Sequence, residues 1–170
     1  HPCFIASEGK LLASNSDEVK PSAIDSSAKK HGTAVCSLIF GKHGSSVEGI
    51  APGCSGLIIP IYSEDGKGGY SSASQAVLAS AINSAFEQGA NIINISGGEF
   101  SKYGEPEFLL KQAIDDCYKA GVLIVAAVGN EGCHCLHVPA SDKQVLAVGS
   151  MDENGIPTSE TNFGENYQTY

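Results

Sequence analysis

The stretch "VLIVAAV" at residues 122–128 is an unbroken apolar run between two glycines, Gly121 and Gly129. Short continuous runs of this kind, rich in valine and isoleucine, are typical of strands that are buried on both faces. Such strands occur in parallel sheets that helices cover on both sides. The stretch therefore predicts an α/β fold of three layers, in which a parallel sheet lies between helices.

Three further apolar segments repeat this pattern along the chain. Each is short and is bounded by residues that favour turns, which is typical of strands. Because helix-like segments separate them, we expect all four strands to be parallel neighbours. The three segments are "GLIIPI" (56–61), "NIINIS" (91–96) and "VLAVGS" (145–150).

Helix signals lie between these strands. Ser72 can cap a helix that Gly89 ends, and the apolar residues within it recur three or four positions apart. Pro106 suits the first turn of a second helix, which Gly121 stops. We predict helices at 32–40, near 72–88 and near 106–120, and mainly surface loop over 1–30 and over the last 15 residues.

The composition limits the class of the protein. The 170 residues, 42% of them hydrophobic, suit one globular domain, and a start at His1 rather than Met predicts a piece of a longer product. A formal charge of -9, with no basic cluster larger than Lys29-Lys30, argues against nucleic acid as a partner. All apolar runs are far shorter than the roughly 20 residues that cross a bilayer, so no membrane contact is expected.

Glycine-rich polar turns follow three of the predicted strands. They are "SEDGKGGY" (63–70), "SGGEF" (96–100) and "GNEGCHC" (129–135). Open parallel sheets bind ligands beyond the carboxyl ends of their strands. We therefore predict that these loops converge on one cleft.

His31 is a candidate general base. It precedes Gly32 where a helix is predicted to begin, and the positive end of the helix dipole there disfavours a charged imidazole ring. The alternative is that His31 only satisfies the start of the helix, since a histidine acts as a base only when a nucleophile is near.

Four motifs decide between these alternatives: "HGTAV" (31–35), "GIAPG" (49–53), "NIINISGG" (91–98) and "VAAVGNEG" (125–132). Their order and spacing resemble those of subtilisin-like serine peptidases over nearly the whole chain. The resemblance implies a subtilisin-like fold in which His31 is the general base of a Ser-His-Asp triad. It also implies that Asn130 donates a hydrogen bond in the oxyanion hole.

The resemblance also assigns the substrate contacts. The family binds peptide as an added strand between two segments, which here are 66–69 and 95–98. Tyr70 would wall the pocket for the residue four before the cleaved bond. The resemblance further implies a cis bond at Val138-Pro139, and no calcium site in the short loop 41–47; no cofactor is expected. The substrate-binding assignments are Gly66, Gly68, Tyr70, Ser96, Gly97 and Gly98.

Two triad motifs of the family do not occur in the sequence. The aspartate turn, Asp-Ser/Thr-Gly, is missing before His31, and the serine motif, Gly-Thr-Ser, is missing after Asn130. We therefore expect residues 1–170 to form a single peptidase domain that is incomplete at both ends, with the remainder of its own chain supplying Asp and Ser. Asp25 is a possible substitute, but a solvated turn residue is the stronger interpretation.

The segment "GCHCLH" (132–137) holds two cysteines and two histidines. Zinc sites draw ligands from two separated pairs, and no second pair is visible, so we expect no metal. A disulfide or a position on the rim of a substrate pocket is the favoured interpretation. His43, His134 and His137 are predicted at the surface, and Cys36 and Cys117 in the core.

Within the family, the sequence resembles the proteases that trim precursor peptides of cyanobactins, which are patellamide-type cyclic peptides. This implies a serine endopeptidase of the bacterial cytoplasm acting on a peptide precursor, whereas ordinary subtilisins are secreted. Two alternatives stay open: a catalytically inactive peptide-binding module, and an inactive proteolytic fragment of the enzyme. The intact mass of the protein, compared with the encoded length, separates them.

Overall fold

A computed structural model of the chain describes residues 11–13, 26–64, 70–164 and 167–169. The chain divides into two units, His1–Ala73 and Ser74–Tyr170, and each is described by itself. The first unit contains β1 (Leu11–Ala13), α1 (Ser27–Phe40), β2 (Gly56–Ile58), β3 (Ser63–Glu64) and β4 (Tyr70–Ser71). The second contains α2 (Gln75–Glu87), β5 (Ile92–Ile95), α3 (Phe108–Lys119), β6 (Leu123–Ala127), β7 (Val145–Gly149) and β8 (Tyr167–Thr169).

Helix α1 begins earlier than the sequence predicts. The buried Ser26 caps it, since its side-chain oxygen accepts a hydrogen bond from the Lys29 backbone N–H at 3.2 Å. The prediction that His31 begins this helix is therefore wrong, because His31 lies in the second turn. The error came from the Ser- and Lys-rich composition of residues 21–30, which resembles a surface loop although it contains the cap.

The strands of the first unit form two small sheets. β2 pairs with β1 in parallel, with Gly56 opposite Leu11, and β3 pairs with β4 in an antiparallel hairpin. β2 is shorter than the predicted strand at 56–61 because Pro60 has no N–H to continue the ladder. Its partner among the described residues is β1, a strand that the sequence did not predict, and not one of the other three predicted strands.

The sheet of the second unit is parallel throughout. Its strand order is β5-β6-β7-β8, with Ile92 opposite Leu123 and Ile124 opposite Val145. The predicted parallel neighbours at 91–96, 122–128 and 145–150 are thus confirmed. β8 lies within the last 15 residues, where the prediction of surface loop is wrong.

Helices α2 and α3 pack together with buried apolar side chains on both. Ser74 caps α2, since its side-chain oxygen accepts from the Val77 N–H at 3.3 Å. The buried side chain of Gln75 accepts a hydrogen bond from the Glu107 backbone N–H at 2.7 Å, which ties the start of α2 to the start of α3. The packed residues include Leu78, Ile82, Ala85, Leu110, Ile114 and Cys117.

The core of the second unit continues from these helices into the sheet. Ile124, Ala126 and Ala147 are nearly inaccessible to solvent. The predicted α/β class, with a parallel sheet and packed helices, is confirmed. None of the helices in the described ranges has the length and apolar character needed to cross a membrane.

The packing of α3 predicts the cost of a cavity. Ile114 is 0% exposed, so Ile114→Ala should lower the free energy of unfolding by about 2–5 kcal/mol. Leu109 lies on the same helix but is 55% exposed, so Leu109→Ala should change it by less than about 1 kcal/mol. Urea unfolding of the two variants checks this difference, and equal losses would contradict the described packing.

Candidate functional site

The 128–133 loop follows β6 and carries Asn130. It starts at Val128, whose N–H donates to the Val148 carbonyl at 3.0 Å and so continues the sheet. Gly129 then turns the chain with a φ of 108°, a value that residues with side chains rarely adopt. The loop therefore leaves the carboxyl end of β6, where open parallel sheets place their ligand sites.

The side chain of Asn162, which is fully buried, holds this loop from within. Its Nδ2 donates to the Val128 carbonyl at 3.2 Å and to Glu131 Oε2 at 2.6 Å. Its Oδ1 accepts from the Glu131 N–H at 2.8 Å. The amide thus satisfies its own polar groups with the backbone and side chain of the loop, as a buried amide must.

The carboxylate of Glu131 collects donors from three directions. Besides Asn162, the Asn130 backbone N–H donates to its Oε2 at 3.1 Å, and His137 Nε2 lies 3.0 Å from the same oxygen. The hydrogen bond from Asn162 lowers the pKa of Glu131, and the charge of His137 and the Asn130 N–H lower it further. The carboxylate is therefore held in its charged form near neutral pH.

The side chain of Asn130 takes no part in these contacts. The residue is exposed, and within the described part of the chain its side-chain amide makes no hydrogen bond, although its backbone N–H is held by Glu131. A fixed backbone with an unused amide donor is what a hydrogen-bond site for a developing negative charge requires.

A second loop, 96–99, follows β5 and meets the first through residues 137 and 138. Glu99 and Val138 form an antiparallel bridge, with N–H···O distances of 3.2 Å and 3.0 Å. A Cβ at Gly98 would lie 2.7 Å from the Val138 carbonyl oxygen, so only glycine fits there. Since His137 contacts Glu131, the loops after β5 and β6 meet as predicted, whereas most of the third predicted loop, 63–70, lies outside the described residues.

The remaining predicted substrate residues lie on the second loop, in the β3–β4 hairpin of the first unit, or outside the described residues. Ser96 accepts a hydrogen bond from Asn94 Nδ2 at 2.8 Å and is followed by Gly97. Gly66 and Gly68 lie outside the described residues, as does Asp25. The backbone of Tyr70 pairs with Glu64 in the β3–β4 hairpin.

His31 lies on α1 of the first unit and is exposed. Its place in the second turn removes the dipole argument for a neutral ring, because that effect fades beyond the first turn. A Cβ at the neighbouring Gly32 would meet no described atom within 4 Å. His31 thus occupies an exposed position of α1, and its role as a general base stays a prediction.

The cysteine-rich segment contains a disulfide between Cys133 and Cys135, with their Cα atoms 5.2 Å apart. Among the described residues no group of three or more His, Cys, Asp or Glu is placed to hold a metal ion. Burial raises the pKa of both the Cys36 and the Cys117 thiol. Cys117 is buried in the core as predicted, whereas Cys36 is only half-buried, so the core prediction is wrong for Cys36. The cis bond predicted at Val138-Pro139 is present.

Sequence reasoning missed three residues of the site. His137, predicted at the surface, is only 15% exposed in its side chain and pairs with Glu131, so that prediction is wrong. Glu131 and Asn162 were not singled out. The sequence offered one signal, Gly129, since a glycine can mark a close approach of another residue. In the structure a Cβ there would lie 2.3 Å from Asn162 Nδ2, but the sequence does not tell which distant residue approaches.

Comparison with known proteins defines the family of this chain. Residues 6–169 match the model of the subtilase family, so the chain belongs to that family. The predicted resemblance to subtilisin-like serine peptidases is thereby confirmed.

Particular relatives narrow the comparison. The chain is 33% identical over 135 residues to subtilisin BL of Lederbergia lenta, covering 79% of this chain and 47% of that protein. It is similar to the solved patellamide maturation protease PatA, with a TM-score of 0.80 and 45% identity, covering 98% of this chain and 57% of that one. For the prenylagaramide maturation protease PagA the TM-score is 0.83 and the identity 46%, over 99% and 55% of the two chains. The chain spans about half the length of the curated relatives it matches.

The lowered pKa of Glu131 predicts a pH-dependent stability. Its charged form is favoured in the folded state, so the stabilisation is present above the ordinary value of 4.5 and is lost as the pH falls through the lowered pKa. The difference in free energy of unfolding between the natural chain and Glu131→Gln should therefore be positive near neutral pH and shrink toward zero in acid.

Urea unfolding at several values between about pH 3 and pH 7 measures this difference. Glu153→Gln is the matched control, because Glu153 is exposed on the loop after β7. A difference that stays constant across this range would contradict the network around Glu131.

Proposed function

We propose that the chain forms the His31 and Asn130 part of a subtilisin-type serine endopeptidase, which hydrolyses peptide bonds through an acyl-enzyme. The observation that carries this proposal is the unused amide of Asn130 on a loop whose backbone is fixed by Glu131 and Asn162. Membership in the subtilase family supports it.

In this proposal His31 takes the proton of a serine hydroxyl as the oxygen attacks the carbonyl carbon of the peptide. The resulting oxyanion accepts a hydrogen bond from Asn130 Nδ2, and His31 then gives its proton to the departing amine. A water molecule then attacks the acyl-enzyme by the same steps, which releases the second product and restores the serine. The serine, and the aspartate that orients His31, are proposed to come from the remainder of the protein, since the sequence holds neither motif.

The proposed substrate is a peptide precursor in the bacterial cytoplasm. It would lie as an extended strand along residues 95–98, where Gly97 and Gly98 leave the backbone accessible. Maturation proteases for patellamide and prenylagaramide are among the similar structures, which supports a precursor peptide as substrate. An inactive peptide-binding module is the second candidate, favoured by the missing Asp and Ser motifs.

Replacement of Asn130 tests the proposal in the complete natural protein. Asn130→Leu keeps the size of the side chain but removes the donor, which acts only on the transition state. Loss of such a donor in subtilisin lowers kcat by about 10²–10³-fold, so we expect a fall of this order with KM within a small factor. His31→Ala should cost more, because the nucleophile loses its base.

Steady-state hydrolysis of a fluorogenic peptide measures both constants. Asn83→Leu is the matched control, because Asn83 is an exposed asparagine on α2 that the mechanism does not use. A raised KM at unchanged kcat for Asn130→Leu would contradict the oxyanion role. Peptide binding without any hydrolysis by the natural protein would favour the binding module.

A further inference from the structure

The 160–163 segment lies alongside the 128–133 loop. The Gly132 N–H donates to the Glu160 carbonyl at 2.8 Å, and the Phe163 N–H donates to the Cys133 carbonyl at 3.0 Å. The Asn162 N–H donates to the Gly129 carbonyl at 3.2 Å. These backbone bonds reach the loop on both sides of Asn130.

The Asn162 side chain adds contacts that enclose the same residue. Its Nδ2 bonds to the carbonyl of Val128, two positions before Asn130. Its Oδ1 accepts from the backbone N–H groups of Glu131 at 2.8 Å and Cys133 at 3.4 Å, one and three positions after Asn130. The conformation of the loop is thus tied to one buried amide, while no residue of the described part of the chain forms a hydrogen bond with the Asn130 side chain.

Gly129 fits the same arrangement. A Cβ at this position would lie 2.3 Å from Asn162 Nδ2 and 2.9 Å from Glu131 Oε2, and real Cβ atoms do not come this close to another heavy atom. The backbone before Asn130 is therefore shaped around the Asn162 amide, and no residue larger than glycine fits between them.

We propose that Asn162 is a positioning residue for Asn130: its buried amide fixes the 128–133 loop so that the Asn130 donor stays aimed at the reacting carbonyl. This inference rests on the proposed peptidase function. Asn162 itself does not touch the substrate. A donor for a developing charge helps only if it is already in place, because reorienting it during the reaction uses the energy it would supply.

The test compares Asn162→Ala with Asn130→Leu in the complete natural protein. Truncation of Asn162 leaves the Glu131 and Cys133 N–H groups without their acceptor, so the loop loses its fixed conformation. We expect kcat to fall about 10–100-fold with KM within a small factor, since misplacement by about 1 Å has effects of this size.

A double variant separates positioning from general stability. If Asn162 acts through Asn130, then Asn130→Leu/Asn162→Ala should be no slower than Asn130→Leu alone, because the aimed donor is already gone. Ile114→Ala is the control: it weakens the core of the same unit but should leave kcat per folded molecule unchanged.

If Asn162→Ala shows no cooperative unfolding transition, two variants that keep the side-chain sizes test the positioning role instead: Asn162→Asp, and Asn162→Asp combined with Glu131→Gln. Asn162→Asp places a second carboxylate against Glu131 Oε2, where the donor now stands at 2.6 Å, and should lower kcat by repulsion within the loop. Adding Glu131→Gln restores a hydrogen bond at this contact, because the new amide at position 131 donates to the new carboxylate at position 162. The pair should recover at least about tenfold in kcat over Asn162→Asp alone.

The outcomes distinguish the two proposals. If Asn130→Leu leaves kcat unchanged, the oxyanion role itself fails, whatever Asn162 does. If Asn130→Leu is slow but Asn162→Ala keeps its kcat, raises only KM, or multiplies its effect in the double variant, the positioning role is overturned. A pair no faster than Asn162→Asp alone also overturns it.

Discussion

The second unit depends on one constraint, the parallel direction of β5, β6, β7 and β8. Parallel strands all end at the same edge of their sheet, so the loops that follow β5 and β6 must emerge side by side. The Glu99–Val138 bridge ties the loop after β5 to residue 138. The neighbouring His137 contacts the carboxylate of Glu131, which lies in the loop after β6. The place of the candidate site is therefore a consequence of strand direction, and only its detail depends on particular side chains.

That detail is supplied by polar groups that are buried or half-buried. Asn162 has no solvent contact, so its amide must be satisfied by the loop, and in return the loop has few alternative conformations. Glu131 shares the same contacts and lies directly after the proposed oxyanion donor. A buried amide and a held carboxylate thus fix the backbone on each side of Asn130 without using its side chain, which leaves that side chain available for chemistry.

The sequence predicts the strands of this unit because their apolar runs are short and flanked by glycine, as at 122–128. It also points to Asn130 and His31, through motifs that resemble those of a known family. The start of α1 was missed because a capping serine, Ser26, is indistinguishable by composition from a serine in a loop. Asn162 was missed for a different reason: its role depends on contacts with residues about thirty positions away, and no local pattern marks an asparagine that becomes buried.

The proposed role of Asn130 as the oxyanion donor of a serine peptidase can be seen in a crystal structure of the complete natural protein with a peptide boronate. The tetrahedral boronate oxygens stand in for those of the reacting carbonyl. We expect one boronate oxygen within about 2.7–3.1 Å of Asn130 Nδ2, and His31 within hydrogen-bond distance of the serine oxygen that bonds to boron. A bound boronate with Asn130 turned to solvent, and with both oxygens held by other donors, would contradict it.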